Sequence, residues 1–156
     1  MIIFLQFSWP VRGESLDMRK FKLIGSSLIE VTIFKIDVYQ ANYFTGISAA
    51  NNSSLLELDY KIDVEKKHSL EGWKEGFKNL DKAKYKDAID WIYRNTPDVK
   101  KGDKFSIKKK ADEVIFYHNG VLISKIKNKK VSFLSMYPWI GDKPLDDKIK
   151  RDLLGN

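Results

Sequence analysis

Hydrophobic positions are densest over residues 22–44, KLIGSSLIEVTIFKIDVYQANYF, where β-branched, aromatic and aliphatic side chains follow one another with small polar residues between them. Branching at Cβ restricts side-chain rotation in a helix and suits a pleated surface, so Val31, Ile33, Ile36 and Val38 predict extended backbone. The tract is too long for one ordinary strand. Its phase also changes, with Val31, Ile33 and Lys35 on one side and Phe34, Ile36, Val38 and Gln40 on the other. Two strands, or one long strand bent by a bulge or turn near 25–27 or 36–39, reconcile the two phases. Over residues 55–64, Leu56, Leu58, Tyr60 and Ile62 alternate with Glu57, Asp59, Lys61 and Asp63. Such alternation predicts a strand with one buried and one wet face.

The period then lengthens. Leu70, Trp73, Phe77 and Leu80 recur at helical spacing behind Ser69, a residue suited to cap a helix. A second helical stripe, from about Asp81, carries Tyr85, Ala88, Ile89, Ile92 and Tyr93, and stops at Asn95, Thr96 and Pro97 because proline disfavours helical geometry in the residue before it. Aromatic side chains on such stripes, Trp73 and Trp91 among them, are ordinarily core packing. Phe105 and Ile107 alternate with Ser106 and Lys108, and two β-rich runs, 114–117 and 121–126, flank His118, Asn119 and Gly120. Asn-Gly in that setting predicts a hairpin with a type I′ turn, since both central residues need positive φ. A short helix with Phe133, Leu134 and Tyr137 follows. A last one, from about Pro144, puts Leu145, Ile149 and Leu153 on one face and ends at Gly155.

Composition narrows the chemistry. With 156 residues, 43% hydrophobic and 13% aromatic, the chain can build a real core, and residues 16–156 read as one domain without a linker or an internal repeat. Residues 1–9, MIIFLQFSW, are too short to span a bilayer. Residues 1–15 read as the end of a secretory signal or as an N-terminal strand, and the first reading implies a periplasmic or otherwise exported protein, the second a cytoplasmic one. Absence of cysteine excludes disulfides, thiol nucleophiles and cysteine metal sites, and two histidines leave little scope for histidine metal chemistry. No metal or cofactor is expected. A net charge of +7, mostly from lysine, favours a solvated surface first and an anionic partner second.

Four stretches in order, LIGSSLIEVTIFKIDVYQANYF, TPDVKKGDKFSI, VIFYHNGVLISKI and FLSMYPWIGDKPLDDKIKRDLLG, resemble the chalcone isomerase-like family, specifically its bacterial branch, over roughly residues 22–155. The resemblance implies an α+β fold, the open-faced β-sandwich, in which a large antiparallel sheet is covered on one face by helices and a ligand cleft lies between the early strands and the helices. Plant enzymes of that family add a phenolate across a conjugated ketone, which requires a cation for the anion and donors for the developing enolate. Here no arginine occurs between Lys20 and Tyr93. Glu30 stands near the expected arginine position, Asp37 or Val38 near the threonine, and Asp146 in place of the hydroxyl residue after the GxxP turn. Plant-type cyclisation is therefore not expected, and Lys22 or Lys35 would offer only a point charge in place of a planar fork.

The favoured expectation is a non-catalytic protein that binds a fatty-acid-like or other small hydrophobic organic acid in the cleft, with Thr32, Lys35, Tyr39 and Tyr43 from the early strands and Trp73 and Phe77 from the helical cover as contacts. An alternative is an isomerase- or lyase-type enzyme with Glu30, Asp37 and Asp146 as acid/base candidates. A further alternative is a binder of nucleic acid or anionic lipid through Lys100, Lys101, Lys104, Lys108 to Lys110 and Lys127 to Lys130, although no recognition motif accompanies them.

Overall fold

The computed structural model describes residues 14–31 and 36–156. Six antiparallel strands lie side by side in chain order: β1 (Phe21–Val31), β2 (Ile36–Gly46), β3 (Ser54–Tyr60), β4 (Lys104–Lys110), β5 (Glu113–His118) and β6 (Val121–Lys127). Helices α1 (Lys66–Gly76) and α2 (Lys86–Arg94) form an excursion between β3 and β4, closed at its base by a bridge between Val64 and Val99. After β6 come α3 (Lys129–Leu134), α4 (Tyr137–Ile140) and α5 (Asp147–Leu153). Among the described residues these five α-helices come after β3 or β6, and they cover one face of the sheet.

The phase change in the early tract is absorbed in two places. Register shifts fall between Leu23 and Gly25, and again where Ile29 faces Tyr39 while Glu30 faces Asp37, leaving Val38 as the extra residue. The tract thus forms two strands, the first of the two readings; the shift at Val38 falls within 36–39, and the one at Ile24 just before 25–27. Gly25 has a second duty, because a Cβ there would run into the backbone oxygens of Asp152 and Leu153. That close approach seats α5 on β1, and the Ser27 hydroxyl donates to Asp152 at 3.3 Å beside it.

The core lies between sheet and helices. Leu56, Leu58, Phe105, Ile107, Val114 and Phe116 from the strands meet Phe77, Ile89, Ile92, Val131, Leu134 and Leu153. Each such side chain, fully buried, contributes about 1.5–3 kcal/mol of transfer free energy. The opposite face departs from the expected alternation: Leu55 and Glu57 of β3 are buried too, as are Ser106 and Tyr117. β3 is a central strand, and the residues before β1 run from Ser15, bridged to Val121 on β6, to Phe21. On the way, Leu16, Asp17 and Lys20 enclose a depression together with Lys108, Lys110 and Tyr117. Glu57 tolerates burial because Asn42 Nδ2 donates to it at 3.2 Å and Lys104 Nζ lies 4.0 Å away.

Local boundaries differ from the sequence reading where capping comes from elsewhere. α1 begins before Ser69, since Asp98, distant in sequence, accepts from the Lys66 backbone N–H at 2.5 Å. α2 begins at Lys86, after a turn in which Asp81 accepts from the N–H groups of Ala83 and Lys84. Tyr137 opens a helix of its own, and α5 starts at Asp147 with Asp146 as its N-cap, not at Pro144. The hairpin turn has Asn119 at φ 50° and Gly120 at φ 79°, as type I′ requires. No helix among the described residues is long and apolar enough to cross a membrane. The signal or strand expected over residues 1–9 lies outside the described residues.

Candidate functional site

A cavity of about 520 Å³ opens between the sheet and the helices. Its floor is Ile29 of β1, Val38 and Tyr39 of β2, Leu58 and Tyr60 of β3, and Phe105 of β4. Its roof is Ser69, Gly72 and Trp73 of α1, Thr96, Pro97 and Val99 beyond α2, and Pro138 and Trp139 of α4. The walls are predominantly apolar, and the volume falls within the range of about 300–1,000 Å³ typical of small-molecule sites.

Aromatic rings fixed by hydrogen bonds hold this space open. Trp73 and Trp139 meet edge to face with centroids 5.2 Å apart, and Phe77 stacks on Trp73 from behind at 5.4 Å. The Trp73 indole N–H donates to the Thr96 hydroxyl at 3.1 Å, which itself donates to the Ile92 carbonyl at 2.7 Å. Across the cavity the Trp139 indole donates to the Tyr39 phenol oxygen at 2.9 Å, and the rings of Tyr39 and Tyr60 lie 5.2 Å apart. These bonds satisfy polar groups in an apolar setting and lock the rotamers of the walls at the same time. Gly76 allows Pro138 to pack closely on α1, joining the two parts of the roof. Gly72 is the opposite case, since a Cβ there would meet nothing within 4 Å.

Burial sets the chemistry of the floor. The Tyr39 phenol is pushed up to about 12 by desolvation, which the bond from Trp139 only partly opposes. Tyr60 is raised as well, by desolvation first and then by its neighbour Tyr39, with the Ser69 hydroxyl acting against the shift. Both phenols are neutral at physiological pH and act as hydrogen-bonding groups. The charged groups of the lining, Glu30, Asp63, His68 and Glu71, are all exposed.

Of the residues singled out from sequence, the cavity brings together Tyr39 and Trp73, with Glu30 among the exposed charged residues of its lining. Tyr43 lies outside the lining, its hydroxyl donating to Ser54 at 3.2 Å. Phe77 is fully buried and supports Trp73 without facing the space. Asp37 is exposed opposite Glu30, and Asp146 is spent on the α5 cap, where it accepts from the Lys148 N–H at 2.6 Å. Thr32 and Lys35 lie outside the described residues. Trp139, Tyr60 and Thr96 were not foreseen. Trp139 stands in the WIGDKP ending, and Tyr60 is in phase with Leu56 and Leu58, so both signals were present in the sequence. The lysines do not act as one group: Lys109 donates to the Ser132 carbonyl at 3.2 Å under the helices, with burial lowering its pKa, while Lys108 and Lys110 border the depression on the other face. Among the described residues no cluster of three metal-ligating side chains occurs.

An open-faced sandwich whose helices and sheet enclose an apolar, solvent-reachable space is a scaffold of the small-molecule binding class. The chain belongs to the chalcone isomerase-like family, whose profile matches residues 15–155. Among solved structures it is similar to a fatty-acid binding protein of Arabidopsis thaliana, with a TM-score of 0.65 at 13% identity over 92% of this chain and 90% of that one. At that identity the likeness establishes the shared fold. No curated protein matches the sequence.

Proposed function

We propose that the protein is a non-catalytic binding protein for a fatty-acid-like chain, taken up in the cavity between β1–β4 and the helices α1 and α4. The cavity itself carries this reading: about 520 Å³ of predominantly apolar space, with rings locked around it and a few hydroxyls inside. Family membership and the fatty-acid binding of the plant protein that shares the fold support it. Acid/base chemistry has less support, because Asp37 and Asp146 stand away from the cavity and Glu30 is exposed.

Thermal unfolding in the presence of saturated chains of eight to eighteen carbons tests the proposal. At one hundred times Kd a ligand confined to the folded state adds about 2.7 kcal/mol, which for this size is a rise of roughly 5–10 °C in Tm. Native mass spectrometry of the same samples should show one chain per protein. An unchanged Tm at every chain length, with no bound mass, would refute the proposal.

A further inference from the structure

We infer that the polar end of the bound chain is held inside the cavity in uncharged form, as an acceptor for the Tyr39 hydroxyl. This rests on the lipid-binding reading above and specifies its head group. The proton count fixes the direction of the key bond. An indole nitrogen can only donate, so in the 2.9 Å contact Trp139 donates and the Tyr39 oxygen accepts. Tyr39 still carries one phenolic proton. Among the described residues it is donated to no partner, and the side chain lies in the cavity floor. A ligand oxygen placed there takes up that free donor at the floor of an apolar space. Tyr60, its ring 5.2 Å away, offers a second phenol beside the same point.

Charge selects against an ionised head. The charged groups lining the space are Glu30 from β1, Asp63 beyond β3, and Glu71 with His68 from α1; Glu71 is paired with Lys74 at 3.4 Å, which leaves two carboxylates and one imidazole, and no lysine or arginine among the described residues of the lining. Among the described residues a carboxylate at the mouth would find no cation of the lining to pair with except His68, and one moved inward would lose its hydration to two neutral phenols. Burial keeps both phenols protonated well above physiological pH, so Tyr39 remains a donor. An ester, aldehyde, alcohol or protonated acid meets neither penalty.

Displacement of the neutral dye Nile red from the full chain tests this, with dodecanoate, methyl dodecanoate and dodecane as competitors at pH 8. Methyl dodecanoate should bind at least about tenfold tighter than dodecanoate, and the gap should narrow as the pH falls and the acid protonates. Tyr39→Phe should weaken the ester by about three- to tenfold, one hydrogen bond's worth, and leave dodecane unchanged. Tighter binding of dodecanoate than of its ester at pH 8 would overturn the inference even if Tyr39→Phe failed to fold, and so would an equal effect of that substitution on ester and alkane. Those results leave the lipid-binding reading standing, whereas failure of all three competitors to displace the dye would remove both.

Discussion

Thr96→Val replaces a hydroxyl with a methyl of nearly the same shape at the point where α2 is tied to the cavity roof. The wild-type hydroxyl accepts from Trp73 Nε1 at 3.1 Å and donates to the Ile92 carbonyl at 2.7 Å, and Thr96 is 4% exposed. The stranded indole N–H costs about 1–3 kcal/mol and the lost bond to the carbonyl about 0.5–1.5 kcal/mol. Burial of the new methyl returns at most about 0.8 kcal/mol. The net expectation is a loss of about 1–4 kcal/mol. Urea unfolding measures it, with an unchanged m-value confirming that the folded and unfolded states are otherwise alike. Thr96→Ser keeps the hydroxyl and should lose only the packing of one methyl. If valine proves no worse than serine, the hydrogen-bonded anchoring of Trp73 is not what fixes the roof, and the rigidity ascribed to the cavity walls falls with it.

Other outcomes follow from the same geometry. Gly25→Ala should destabilise by about 1–3 kcal/mol in urea unfolding, because the new Cβ drives α5 off β1. Gly120→Ala places a Cβ at φ 79° and should cost about 1–2 kcal/mol by the same assay. Asp103 is drawn down to about 2 from 3.8, by the Lys100 backbone N–H first and then by His118 and Asn119. Since its folded pKa is depressed, its contribution is complete above about pH 4 and is lost as the pH falls through about 2. Acid unfolding of Asp103→Asn should therefore show a flatter loss of stability across that window than the wild type. Gly72→Ala, in a helix and facing open space, should stabilise by up to about 1 kcal/mol in thermal or urea unfolding.

Elements with strong local signals were legible in the chain: the Asn119-Gly120 hairpin, the helical stripe ending at Pro97, and the division of residues 22–44 into two strands. What escaped depends on partners remote in sequence. The start of α1 is set by Asp98, a cap some thirty positions downstream that no local window around Ser69 contains. The burial of Glu57 on the outer face of β3 depends on Asn42 of β2 and Lys104 of β4, partners that the alternation over residues 55–64 does not contain. In the site, Tyr39 and Trp73 could be nominated from the strand and the helix. Trp139 could not be joined to Tyr39, because the two residues lie 100 positions apart. Asp146 shows the converse error, since a carboxylate that looked like chemistry is an N-cap.

If a chain binds in the space under α1, bulk placed at Gly72 should exclude it, and Gly72→Phe supplies that bulk. The residue lines the cavity and a Cβ there meets nothing within 4 Å, so a benzyl group is expected to enter the volume without displacing the helix. Titration of methyl dodecanoate by native mass spectrometry should give one bound molecule for the wild type and none for Gly72→Phe, with the variant melting no lower than the wild type. Equal occupancy in the two proteins would contradict the account.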